Sequence, residues 1–235
     1  MPVSTRAWGT KPITSRHPAP RFYVVSGSHG VGKTTVTALV HQVLADHGVA
    51  TSTFHHRADK ASAASTPQVD QTGPPGWKRR LWRVLPISLR AWLVAANDEL
   101  RYSRSVARRL TSAASEGQAA IIDRYVYDRL VDLRLHNRPR QQVWAVEIAC
   151  RLMRKPDMTF FLIDSPERIH ARKDELSVEQ ITEYQSALKS LFMRLRIPHL
   201  EIEIDGREAA AVAESIASFI EKANPEDSTL PDAAR

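Results

Sequence analysis

Cysteine is almost absent from this chain: Cys150 is the only one in 235 residues. A lone thiol excludes a disulfide framework and a cysteine-built zinc cluster. No apolar run is long enough to span a bilayer, and the first residues lack the apolar core of a secretory signal. The expected address is therefore cytoplasmic. Hairpin signals and internal repeats are missing too. What remains is long enough to bury a sizeable core as one domain, and it carries a formal charge of +7, mostly on arginine. Such charge suits bidentate recognition of phosphate or carboxylate. The same attraction would serve nucleic acid or an anionic membrane, and many of these arginines also fit an ordinary solvated face.

One stretch narrows the choice. Gly27-Ser28-His29-Gly30-Val31-Gly32-Lys33-Thr34-Thr35 matches G-x-x-x-x-G-K-[ST], a spacing that cradles phosphates. Its glycines let backbone N–H groups converge on an anion without Cβ atoms in the way, and the helix that follows adds unpaired donors. Lys33 is then a point charge for the β- and γ-phosphates, and the Thr34 hydroxyl a ligand for Mg²⁺. Phe22-Tyr23-Val24-Val25-Ser26 reads as the preceding buried strand. Val36, Leu39, Val40, Val43 and Leu44 recur at helical spacing after the loop. Strand, glycine loop and helix are the context in which the motif binds a nucleoside triphosphate.

Taken in order, residues 1–20 are Pro-, Ser- and Arg-rich without periodicity and read as a disordered extension. Val49–Phe54 reads as a second strand running into His55-His56-Arg57. Adjacent histidines on a strand point to opposite faces, so the pair is expected to be a strand end and no metal site. Residues 60–76 are a mobile loop by composition. Trp77–Arg90 interleaves basic residues with Trp77, Leu81, Trp82 and Ile87, which suits either a peripheral membrane contact or a helix packed on the domain, broken at Pro86. Ala91–Ser115 has helical periodicity. Gln118–Asp123 is a buried strand that ends in an acid, and ligands gather at the carboxyl edge of such sheets, which puts Asp123 within reach of Mg²⁺. Further helices are expected over Tyr125–Leu135, Gln141–Arg154, from Ser165-Pro166, over Ser177–Arg194 and Glu208–Lys222, with strands at Met158–Ile163 and His199–Ile204. Arg168 and Arg172, four residues apart, share a helix face. Five strands each followed by helix predict an α/β domain over 21–222, a parallel sheet with helices on both faces, before a disordered tail at 223–235.

Together these elements resemble the thymidylate kinase group of P-loop nucleotide kinases. The resemblance rests on the glycine loop, on Asp123-Arg124-Tyr125, on Pro156-Asp157 and on Ser165-Pro166-Glu167 with Arg172 beyond. It is closer to a thymidylate kinase-like subgroup often found with surface-polysaccharide biosynthesis, at Asp123-Arg124-Tyr125-Val126-Tyr127-Asp128, Val131-Asp132 and Arg172-Lys173-Asp174-Glu175-Leu176. The resemblance implies transfer of the ATP γ-phosphoryl group, with Mg²⁺, to a nucleoside monophosphate such as dTMP. It implies that Lys33 and Thr34 serve donor and metal, that Asp123 orients metal-bound water, and that Arg124 clamps the transferring group. A lid near 168–176 would supply Arg172. Arg57 and Tyr125 become candidates for the acceptor side, a homodimer is implied, and no nucleic-acid partner is expected.

The departures lie on the acceptor side. His29 stands where thymidylate kinases carry an acid, and Ala95-Ala96-Asn97-Asp98 stands where they end an Ala-Ala-Asp segment with a base-reading arginine. A kinase of the same fold acting on a sugar or glycan intermediate is the alternative these changes leave open. An ATP-binding regulatory or membrane-associated module is a third reading, and Lys33, Thr34, Asp123 and Arg124 together argue for turnover over binding alone.

Overall fold

The computed structural model describes residues 21–55 and 85–223. The N-terminal extension, Arg57, the 60–76 loop, the Trp77–Val84 part of the basic segment and the tail from 224 lie outside the described residues. The strands are β1 (Phe22–Gly27), β2 (Thr51–His55), β3 (Ala119–Asp123), β4 (Met158–Ile163) and β5 (His199–Glu203). They form one parallel sheet in the order β2-β3-β1-β4-β5. The helices are α1 (Lys33–Asp46), α2 (Ile87–Ser115), α3 (Val126–Leu135), α4 (Arg140–Leu152), α5 (Pro166–Arg172), α6 (Val178–Leu195) and α7 (Ala209–Ala223).

The α/β architecture follows from alternation on strands that are covered on both sides. Phe22, Val24, Ala120, Ile122 and Phe161 face one core with residues of α2, α3, α4 and α6. Their neighbours Tyr23, Val25, Ala119, Ile121, Phe160 and Leu162 face a second core with α1, α5 and α7. Period-two side-chain direction makes adjacent residues serve opposite layers, and that is why the strands read as continuous apolar runs. Phe160, Phe161 and Phe192 are fully enclosed, each worth about 1.5–3 kcal/mol of burial.

One boundary departs from expectation. Helix α2 begins at Ile87, with Pro86 in the extended conformation just before it, rather than at Ala91. Proline clashes with a preceding helical turn but is well tolerated at a helix start, so Pro86 marks where α2 begins. Helix α7 includes Ala223. Strand β1 lies centrally, hydrogen-bonded to β3 and β4, and the chain leaves it towards β2 on one side while β4 and β5 lie on the other. The carboxyl end of β1 is therefore where a ligand crevice opens.

Candidate active site

The glycine loop leaves β1 at that carboxyl end and enters α1. Gly27, Gly30 and Gly32 have φ values of 151°, 80° and 98°, a region that disfavours any Cβ-bearing residue. A Cβ on Gly27 would meet the Leu162 carbonyl oxygen at 2.7 Å, and one on Gly30 would meet Lys173 Cβ at 3.2 Å and Ile169 Cγ2 at 3.3 Å. The first contact seats the loop against β4 and the second brings the end of α5 onto it. Ser28 and Val31 are buried, while Thr35 is exposed on the first turn of α1. Among the described residues no side chain caps α1, so its leading N–H groups remain available.

Lys33 folds back over the loop. Its ammonium donates to the Gly27 and Ser28 carbonyls at 2.7 and 2.6 Å. Burial, aided by the charge of Arg124, pulls its pKa down to about 8, because desolvation disfavours the charged form.

Asp123 shares the sheet face of Val25 and Ile121, the face covered by α1, and so it meets the first turn of that helix. Thr34 Oγ1 donates to Asp123 Oδ2 at 2.7 Å. His55, in register with Asp123 on β2, also contacts Oδ2, through Nδ1 at 2.8 Å. The other oxygen, Oδ1, is buried without a hydrogen-bond partner among the described residues. An unsatisfied buried carboxylate oxygen beside a threonine hydroxyl is the donor set a hard divalent cation takes when phosphates and waters fill its other positions. Thr34 and Asp123 therefore fit Mg²⁺. No cluster of three or more His, Cys, Asp or Glu residues suited to a metal occurs among the described residues, so an all-protein cage is not what they offer.

Arg124 follows with φ 67°, a left-handed conformation held by its N–H bond to Val25 O at 3.1 Å. This turn swings the guanidinium toward the glycine loop, where NH2 lies 3.4 Å from His29 Nδ1. His29 Nε2 lies 2.8 Å from Asp132 Oδ1 and 3.2 Å from Arg124 NH1. A single ring nitrogen cannot donate to one and accept from the other. The shorter contact assigns the proton to Nε2, donating to Asp132, with Nδ1 accepting from Arg124. Glu175 Oε2 is 3.5 Å from the same Nδ1.

Beyond this group opens a cleft of about 1430 Å³, lined by His29, Asp98, Glu99, Arg101, Arg108, Arg124, Arg129 and Asp132 among others. On its wall Glu99 is paired with Arg129 at 2.7 Å. Burial raises the Glu99 pKa against the pull of Arg129.

The remaining candidates bond to partners outside this cluster. Arg172 donates to Asp164, whose buried side chain also accepts from Arg168 Nε at 2.9 Å. Both arginines are thus gathered at the end of β4. Tyr125 is enclosed, its hydroxyl donating to the Arg154 carbonyl at 2.9 Å, and it lines a separate apolar cavity of about 640 Å³ between α2 and α4. Burial drives its pKa well upward. Three contributors had no site role assigned from the sequence, although Asp128 and Asp132 lie in segments that carry the family resemblance. Asp128 and Asp132 look like ordinary acids of a helical segment, and His55 is legible only once β2 is known to lie beside β3.

The fold and this edge define an α/β protein built around a glycine loop at the end of its central strand. Among solved structures, a thymidylate kinase from Candida albicans is similar over 92% of this chain and 97% of its own, at 16% identity and a TM-score of 0.53. The fold is thymidylate-kinase-like. No protein-family profile matches the chain, and no curated protein matches it by sequence. Among the described residues no helix is long and apolar enough to cross a membrane.

Proposed function

We propose that this protein is an ATP-dependent phosphotransferase that moves the γ-phosphoryl group of ATP to a nucleoside monophosphate, with dTMP as the first acceptor to test. The observation that carries this reading is the convergence of Lys33, Thr34 and Asp123 on the glycine loop. Open backbone donors, a buried ammonium and a hydroxyl–carboxylate pair suit a polyphosphate with its cation. Thr34 and Asp123 would hold Mg²⁺, which would supply charge neutralisation for the phosphates.

The chain's own groups account for the rest. Lys33 leaves the loop carbonyls for phosphate oxygens, and Arg124, poised between His29 and the cleft, meets the transferring group or the acceptor phosphate. Arg172 belongs to the proposed lid and would have to exchange Asp164 for ATP. Catalysis of this kind is positioning and charge stabilisation with no covalent intermediate, and an arginine at the transferring group is worth on the order of 10³ to 10⁵ in rate.

A second reading, transfer to a sugar or glycan hydroxyl, is favoured by the His29–Asp132 hydrogen bond. It holds a histidine in the loop position where the family resemblance implies an acid directed at the acceptor's sugar, so the recognition expected of a nucleotide acceptor is changed there. ADP release with Mg²⁺-ATP, with dTMP, with other nucleoside monophosphates and without acceptor, separates the two. Stimulation by dTMP that vanishes in Lys33→Ala is the expected result; ATP binding with no nucleotide stimulation turns the search to hydroxyl acceptors. Full turnover by Lys33→Ala would refute the donor site itself.

A further inference from the structure

We infer that His55 is a positioning residue that fixes which oxygen of Asp123 faces the cation; this rests on the reading of the glycine loop as an Mg²⁺-ATP site. The evidence is the unequal treatment of the two carboxylate oxygens. Oδ2 receives Thr34 Oγ1 at 2.7 Å and His55 Nδ1 at 2.8 Å, while Oδ1 is buried and has no partner among the described residues.

The arrangement comes from the sheet. His55 and Asp123 are register partners at the carboxyl ends of the parallel strands β2 and β3. Register partners project to the same face, so the imidazole reaches the carboxylate. Nδ1 lies 2.8 Å from a carboxylate oxygen, and the tautomer that bonds it is the one with the proton on Nδ1, donating.

Two donors do what one cannot. With Thr34 alone the carboxylate could satisfy the hydroxyl through either oxygen and turn freely between the two. With a second donor arriving from the neighbouring strand, Oδ2 is saturated and Oδ1 is left for the ion or its waters. The Thr34 hydroxyl, having given its proton to Oδ2, keeps lone pairs for the same ion. A partner that orients a metal-facing ligand in this way typically controls metal affinity by 10- to 100-fold. His55 is also 39% exposed, so its replacement does not open the core.

The test is ATP affinity measured by calorimetry in Mg²⁺ and in EDTA, for wild type, His55→Ala, His55→Gln and His55→Asn, with circular dichroism and thermal unfolding as fold controls. His55→Ala is expected to weaken the apparent Mg²⁺ affinity about 10- to 100-fold and to leave affinity in EDTA unchanged. His55→Asn, whose Nδ2–H lies near the place of Nδ1–H, is expected to restore most of the loss, and His55→Gln to restore little. Wild-type Mg²⁺ dependence in His55→Ala overturns the inference, and so does an equal loss with and without Mg²⁺, which would make His55 a scaffold residue. If wild type itself gains no ATP affinity from Mg²⁺, or Lys33→Ala binds as wild type does, the donor-site reading fails and takes this inference with it.

Discussion

The enclosed carboxylate of Asp128 accepts a hydrogen bond from the Ser26 hydroxyl at 2.8 Å, tying α3 to the strand that launches the glycine loop. The same side chain accepts from Gly27 N at 3.3 Å and Tyr125 N at 3.2 Å, and the Tyr184 hydroxyl approaches at 3.5 Å. Every partner is a donor. Asp128→Asn, nearly the same shape, must aim an amide N–H at one of them, and we expect it to lose about 2 kcal/mol in denaturant unfolding. Burial raises the Asp128 pKa, against the opposing charges of Lys33 and Arg124. A raised folded pKa means that the native state takes up a proton before the unfolded chain does, so this group's contribution grows as the pH falls through that pKa toward the ordinary carboxylate value. The stability gap between wild type and Asp128→Asn should therefore widen in acid; a gap that narrows would contradict the assignment.

Lys33 gives a second pH-dependent readout. With a pKa near 8, it is partly neutral in the free protein above that pH, and arriving phosphates restore the charged form. ATP binding at pH 8.5 to 9 should take up protons, whereas at pH 7 this residue contributes almost none. Calorimetry in buffers of different ionisation enthalpy measures the uptake, and Lys33→Met should abolish it. The folding linkage has the opposite sense to that of a paired lysine. The penalty for burying the ammonium is present in full below about 8 and fades as the pH rises toward the unfolded value of roughly 10.4. Lys33→Met is accordingly expected to leave stability at pH 7 unchanged or raise it by about 1 kcal/mol, since lost desolvation cost offsets two lost carbonyl bonds. A loss above about 2 kcal/mol would mean that the ammonium holds the loop together.

Much of this was legible before any coordinates. Val24, Ile121 and Phe160 sit in runs too apolar for a one-sided sheet, so two covering helix layers were implied, and Gly30, Gly32 and Lys33 announced the loop. What stayed hidden depends on which strands become neighbours. Nothing local in Thr53-Phe54-His55 says that His55 will stand beside Asp123, because strand order is a property of the whole topology. Asp164 is another such case: as a residue before Ser165-Pro166 it reads like part of a helix start. In the fold it binds Arg168 and Arg172, which their spacing alone left as a solvated face or a lid. The cleft beyond the glycine loop was less readable still, since it is assembled from α2, α3, the glycine loop and the segment after α5.

Arg124 separates backbone strain from side-chain function. A non-glycine residue with φ 67° carries about 1–2 kcal/mol of strain. Arg124→Ala keeps that strain and loses the guanidinium, while Arg124→Gly loses both. The glycine variant is expected to be more stable than the alanine variant by about 1 kcal/mol in thermal or denaturant unfolding. On the proposed function both should lose turnover on the order of 10³ with little change in ATP affinity. Equal loss of affinity and turnover would assign Arg124 to the donor alone.

Two glycines of the loop should respond to alanine in different ways, although both have positive φ. At Gly32, φ is 98° and an added Cβ meets nothing within 4 Å, so only backbone strain opposes the change and a loss of about 1–2 kcal/mol is expected. At Gly27 the Cβ would stand 2.7 Å from the Leu162 carbonyl oxygen and 3.0 Å from Val31 Cγ1. That carbonyl is backbone of β4, locked in the sheet, and cannot yield as the end of a flexible side chain would. Gly27→Ala must push β1 away from β4 or distort the loop, and a loss above about 3 kcal/mol is expected. Unfolding curves of the two variants side by side make the comparison. Similar losses would show that strain alone governs the loop, and that the close approach of β1 to β4 can relax.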